Sequence, residues 1–126
     1  MDFDGLLCED CPADVANDPQ RYAEFLDTTR PIAWPRREPL AAIITARLEE
    51  DRKPTEAWLA KWGIRARRLI MARNMHAHRH PASFKAAEYG KRGADLYLES
   101  DPRQAAEIAS LTTKRVICPA SGEVFN

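Results

Sequence analysis

The sequence predicts an α/β fold, a Rossmann-like three-layer sandwich with a parallel sheet of about five strands between helices. Three observations predict it. Short apolar runs bounded by charged and turn residues recur along the chain, as in strands covered on both faces. Segments with helical apolar spacing and their own start signals lie between those runs. From Leu40 onward the order reads strand, helix, strand, helix, strand, helix, strand. Such alternation links parallel strands by right-handed crossovers and brings their carboxyl ends to one rim.

The strand candidates are Ala41-Ala42-Ile43-Ile44, Leu69-Ile70-Met71, Leu96-Tyr97-Leu98 and Val116-Ile117-Cys118. Asp18-Pro19 reads as an N-cap with proline at the first helical position, opening a helix to about Thr28. Tyr22, Phe25 and Leu26 share its apolar face. Pro54 opens a second helix with Trp58, Leu59 and Trp62 on one stripe, and Gly63 stops it. Ser83 is expected to cap a third helix carrying Phe84, Ala87 and Tyr89. Asp101-Pro102 repeats the Asp-Pro start for a fourth, with Ala105, Ile108 and Ala109 on its stripe. The expected sheet order runs from the Leu69 strand at one edge through Ile43, Asp2 and Leu96 to Val116.

The 126 residues make one domain, 1–126, with no room for a second. Nineteen Lys plus Arg balance nineteen Asp plus Glu, which argues against a general nucleic-acid coat protein. No apolar run approaches the roughly 20 residues that span a bilayer. The acidic start Met1-Asp2-Phe3-Asp4 has no signal-peptide character. Three cysteines do not make a disulfide scaffold, so the cytoplasm is the expected compartment.

Asp2-Phe3-Asp4-Gly5 places two carboxylates at i and i+2, which share one face of an extended chain and can converge on one ion or one phosphate. Gly5 permits a sharp exit. Thr45 ends the Ile43-Ile44 strand and is followed by Ala46-Arg47. Lys85 sits at the start of the third helix, and Glu99-Ser100-Asp101 ends the Leu96 strand.

This order of Asp-x-Asp-Gly, strand-end Thr, Lys and strand-end acidic pair resembles the haloacid dehalogenase-like phosphatase superfamily over nearly the whole chain. The resemblance implies Asp2 as the nucleophile that forms an aspartyl-phosphate, and Asp4 as general acid and then base. It implies that Thr45 hydrogen-bonds the phosphoryl oxygens and that Lys85 neutralises charge between nucleophile and phosphate. Glu99 and Asp101, with the Asp2 carboxylate and the Asp4 carbonyl, would hold Mg²⁺ directly or through water. The expected substrate is a phosphomonoester, a nucleotide or a nucleic-acid end. A non-catalytic binding or regulatory module of the same fold is the alternative.

Thr45-Ala46-Arg47, Arg52, Thr55 and Trp58-Leu59 are similar to the second-motif region of polynucleotide 3'-phosphatases and acid phosphatases. Arg47 and Arg52 are therefore expected to contact a second phosphate or a nucleotide. The Asp-Gly-Leu-Leu-Cys start, Thr-Ala-Arg-Leu-Glu and Glu-Ser-Asp are also similar to a small phosphatase-like domain attached to some predicted phosphoribosyltransferases. The insert between first and second motifs, residues 6–39, holds one helix and the Pro-rich stretch Pro31 to Pro39, too little for a large cap. A minimally capped, open site is implied, one that a partner chain or an upstream domain would cover.

Cys8-Glu9-Asp10-Cys11 and the run His76, His78, His80 suggest another chemistry. In an extended chain the three histidines would lie on one side, and two of them with Cys8 and Cys11 would make a four-ligand zinc site in an interaction domain. The bland alternative is two partly buried thiols beside the active site and a polar histidine loop. One departure from the resemblance is evident. Only Met1 precedes Asp2, so the first strand is short. Either the true start lies upstream, the chain is part of a longer protein, or another segment fills the gap in the sheet.

Overall fold

A computed structural model of the chain describes residues 1–32 and 39–126. Residues 33–38 of the Pro-rich stretch lie outside the described residues. The fold is mixed α/β. In chain order it comprises α1 (Ala13–Ala16), α2 (Pro19–Thr28), β1 (Ile43–Leu48), a 3-10 turn (Glu49–Asp51), α3 (Arg52–Lys61), β2 (Leu69–Ala72), α4 (Met75–Arg79), α5 (Pro81–Gly90), β3 (Leu96–Leu98), α6 (Pro102–Thr112), β4 (Arg115–Cys118) and β5 (Glu123–Phe125).

The two Asp-Pro signals open helices as the local chemistry requires. Asp18 Oδ1 accepts from the amides of Gln20 at 3.1 Å and Arg21 at 3.2 Å, and Pro19 takes the first helical position of α2. Asp101 Oδ1 does the same for Arg103 at 2.8 Å and Gln104 at 3.3 Å at the start of α6. Each cap satisfies amides that no helical carbonyl can reach. Two other starts differ from expectation. A 3-10 turn precedes α3, which begins at Arg52 with Pro54 inside its first turn. Helix α5 opens on Pro81, so Ser83 lies within the helix and caps nothing. The histidine run is helical, not extended, because Asn74 Oδ1 accepts from Ala77 N at 2.9 Å and caps α4.

The expected single parallel sheet of about five strands is not what forms. One sheet pairs β1 with β2 in parallel, and the other has the order β3-β4-β5, parallel and then antiparallel. The chain leaves extended conformation after Asp2, where the amides of Leu6 and Leu7 turn back to the Phe3 carbonyl at 3.3 and 2.9 Å. What remains between the two sheets is the dipeptide Met1–Asp2. Met1 donates its amine to Ala42 O at 2.9 Å, and its own carbonyl accepts from Ile44 N at 2.9 Å, the bond pattern of a parallel pair. On the other side, Asp2 N donates to Leu98 O at 2.9 Å. Beneath Met1, residues of β1 and β3 line a cavity of about 510 Å³, so among the described residues no segment fills the expected gap.

Successive residues of β1 bury against opposite helix layers. Ile44 packs with Ala86 and Tyr89 of α5 and Ile108 of α6, whereas Ile43 packs with Phe3, Leu7, Trp58 and Leu59. This alternation covers both faces with helices and holds the carboxyl ends of β1 and β3 in fixed relation. Each fully buried Ile, Leu or Phe contributes about 1.5–3 kcal/mol. Among the described residues no helix is long and apolar enough to cross a membrane.

Candidate active site

Four pieces of chain meet at one rim: the Met1–Asp2 dipeptide with its turn, β1 at Thr45, α5 at Lys85, and the residues after β3. Thr45 is the last β1 residue in regular register with β2, opposite Met71, and the register shift before Leu48 leaves Ala46 and Arg47 outside the regular ladder. Glu99 continues the β3 line, its amide donating to Ile117 O at 3.0 Å.

Lys85 is the centre. Its ammonium lies 3.0 Å from Asp2 Oδ1, 2.8 Å from Glu99 Oε2 and 3.1 Å from Gln104 Oε1, which uses its three donors. Asp2, Lys85 and Glu99 are 4%, 3% and 0% exposed, so this is a buried cluster of two carboxylates and one cation. Such charges survive burial only when paired and hydrogen-bonded. Burial alone would lower the Lys85 pKa, but Asp2 and Glu99 outweigh it and raise it. Burial pushes the Asp2 carboxyl well above the usual carboxylate range, and Glu99 adds to this against the pull of Lys85.

Asp4 is placed differently. Both its oxygens are taken by one guanidinium, with Arg47 Nε donating to Oδ2 at 3.0 Å and Nη2 to Oδ1 at 2.6 Å. Arg47 is itself buried, lies over the Phe3 ring at 4.0 Å and donates from Nη1 to Thr55 Oγ1 at 3.3 Å. Its fork is therefore matched to Asp4 and is not presented to a second phosphate. Arg52 stands apart from the rim. It pairs with Glu49 at 2.7 Å and Glu56 at 3.1 Å and donates to Leu69 O at 2.9 Å.

Asp2, Asp4, Thr45, Lys85, Ser100 and Asp101 line one pocket of about 220 Å³. Thr45 Oγ1 accepts from Arg47 N at 3.2 Å, a bond that uses a lone pair and not the hydroxyl proton. Sequence reasoning assigned no role to two further residues here. Ser100 Oγ lies 3.0 Å from the Asp4 carbonyl and 3.3 Å from Asp2 Oδ2. The turn can approach it because Gly5 has φ +79° and no side chain, and a Cβ there would fall 2.6 Å from Ser100 Cβ. Asp10 also lines the pocket, its carboxyl raised by burial and then by Asp4 and Glu99. The Gly5 turn brings it there, and nothing in residue spacing signals it.

For Mg²⁺ the donor chemistry is suitable: the Asp2 carboxylate and the Asp4 carbonyl are hard oxygens, both met here by the Ser100 hydroxyl, and Asp101 lines the same pocket. As the side chains stand, no group of three His, Cys, Asp or Glu among the described residues is placed to hold a metal ion. The same holds for the zinc reading. His76, His78 and His80 lie on or beside the short helix α4, with the His76 and His80 rings tilted at 47° and their centroids 4.5 Å apart. Cys8 is buried against Asp4 and Arg47, and burial pushes its thiol up to about 12, away from the thiolate that zinc takes.

A larger cavity of about 590 Å³ adjoins the small pocket, and both include Asp4 and Ala46 in their walls. The insert helices α1 and α2 form one side of it. No family model matches the chain, and comparison with curated proteins and with solved structures finds no significant match.

Proposed function

We propose that the protein is a phosphomonoesterase that works through an aspartyl-phosphate on Asp2. The observation that carries this reading is the buried Asp2–Lys85 contact at 3.0 Å on the wall of a phosphate-sized pocket that Asp4 and Thr45 also line. A carboxylate is a competent nucleophile toward phosphorus only if the phosphoryl charge is neutralised and the attack is in line.

In this mechanism an Asp2 oxygen bonds to phosphorus as the bond to the leaving alcohol breaks. Asp4 gives the alcohol its proton, then takes one from the water that attacks the aspartyl-phosphate, releasing inorganic phosphate and restoring Asp2. Lys85 and the Thr45 hydroxyl hold phosphoryl oxygens. Mg²⁺ would supply further charge neutralisation, and the Asp2 carboxylate, the Asp4 carbonyl, Asp101 and Glu99 are the residues that would hold it, directly or through water. In the finer fold reading, Met1–Asp2 stands in the place of a central first strand of a haloacid dehalogenase-like sheet.

Phosphate release from p-nitrophenyl phosphate, with and without Mg²⁺, tests the reading. Release that requires Mg²⁺ and is lost in Asp2→Asn supports it. No release at saturating Mg²⁺ leaves the non-catalytic binding module in its place. One observation favours that second reading, the Arg47 fork that occupies both oxygens of the acid–base residue.

A further inference from the structure

The 590 Å³ cavity is of the size that receives small molecules, and it opens where the Asp4 side of the phosphate-sized pocket ends. An ester held at Asp2 with its leaving oxygen toward Asp4 has its alcohol part at this cavity. Tyr22 and Leu26 of α2 give it an aromatic and aliphatic wall, and Glu50 and Asp51 of the 3-10 turn face it as well. Of its charged lining, the Arg47 guanidinium is matched to Asp4, and Glu50 and Asp51 remain as two acids beside the His78 imidazole, whose Nδ1 lies 2.7 Å from Ala46 O. Burial and then Glu50 push the Asp51 carboxyl above its usual range, against the weaker pull of Arg47 and His78.

We infer that this cavity receives the alcohol part of a phosphomonoester bearing a single phosphate, an aromatic alcohol that is neutral or cationic, and that it rejects one carrying a second anionic group. The inference rests on the phosphomonoesterase reading for the position of the ester. It departs from the expectation that Arg47 and Arg52 bind a second phosphate, because each guanidinium is already matched to carboxylates. A nucleic-acid end, which continues into a polyanion, is disfavoured by the same field.

The test uses three esters on one ring: 4-nitrophenyl phosphate, 4-(aminomethyl)phenyl phosphate and 4-carboxyphenyl phosphate. A parallel titration calorimetry series uses the corresponding amino and carboxy phenylphosphonates, which cannot turn over. The wild-type chain is compared with Glu50→Gln/Asp51→Asn and with Tyr22→Ala. The wild type should bind the cationic phosphonate about tenfold more tightly than the anionic one, and the double variant should remove most of that preference. Tyr22→Ala should raise KM for all three esters, and an unchanged KM would remove Tyr22 from the wall that receives the alcohol.

If the esters turn over but charge preference is the same in wild type and double variant, the inference fails and the phosphatase reading stands. If the phosphonates bind with the expected preference and no ester turns over, the cavity assignment holds and the catalytic reading falls. Absence of both binding and turnover overturns both.

Discussion

Arg47 grips Asp4 with two parallel hydrogen bonds of 3.0 and 2.6 Å, from a residue forty-three positions away in the chain. A bidentate guanidinium–carboxylate pair fixes direction as well as charge. It aims the second carboxylate of Asp-x-Asp away from Lys85 and gives the two aspartates separate partners.

Asp4→Asn should lower phosphate release by about 10²–10⁴-fold, the usual worth of a positioned acid–base group. Substrate affinity should change far less. Steady-state kinetics on p-nitrophenyl phosphate gives both numbers, and an effect confined to KM would remove Asp4 from its role.

The raised Asp2 pKa has a sign that can be checked. The neutral acid is not a nucleophile, so turnover should climb as pH rises through that raised value. Stability should move the other way. A carboxyl whose folded pKa is raised favours the folded state at pH below its unfolded value, near 3.8, and that contribution is lost as pH rises through the folded value. Asp2→Asn should therefore abolish activity and lose less stability than the wild type over that interval, as read by urea midpoints across pH.

Lys85→Met should be costly to the fold. It leaves Asp2 and Glu99 buried together without their cation, and breaking such a cluster costs about 3–5 kcal/mol. The urea midpoint should fall accordingly at neutral pH and recover in part when pH is lowered, because protonation of the carboxyls relieves the repulsion. A midpoint equal to wild type would contradict the buried cluster.

Asp101→Asn separates two duties of one residue. Asparagine caps helices about as well as aspartate, so α6 and the thermal midpoint should be little changed. A carboxylate facing the Mg²⁺ donors is lost, so the Mg²⁺ concentration giving half-maximal activity should rise. Loss of stability with an unchanged Mg²⁺ requirement would leave Asp101 as a cap alone.

Trp58→Ala should destabilise by about 3–5 kcal/mol, the range for deleting a large buried aromatic. The indole is 2% exposed, tilts against Phe3 at 5.2 Å and donates to Thr29 O at 2.6 Å. Phe3 carries Arg47 on its ring, so the loss should also reach Asp4 and reduce activity. Chemical denaturation and kinetics on the same variant measure both effects.

Local chemistry was legible without a structure. Asp18-Pro19 and Asp101-Pro102 open helices because a carboxylate cap and a fixed φ act within three residues and need no tertiary help. The strands at Leu69, Leu96 and Val116 and the burial of Trp58 and Leu59 follow from apolar spacing, which reports burial directly. The residues at the rim were named by type and order, and Asp2, Asp4, Thr45, Lys85 and Asp101 do line one pocket.

Only the tertiary structure decided the partners. Whether Arg47 meets a phosphate or Asp4 depends on how the Gly5 turn is aimed, and that turn is set by its approach to Ser100 across the sheet gap. The histidines turned helical because the Asn74 cap competes with extension, a balance of small terms that spacing does not report. The sheet divided into two and three strands because backbone pairing is non-local: two residues of extended chain at Met1–Asp2 support one rung on each side and no more. Composition and periodicity record what each segment prefers, whereas charge pairing and strand register depend on which distant segment arrives beside it.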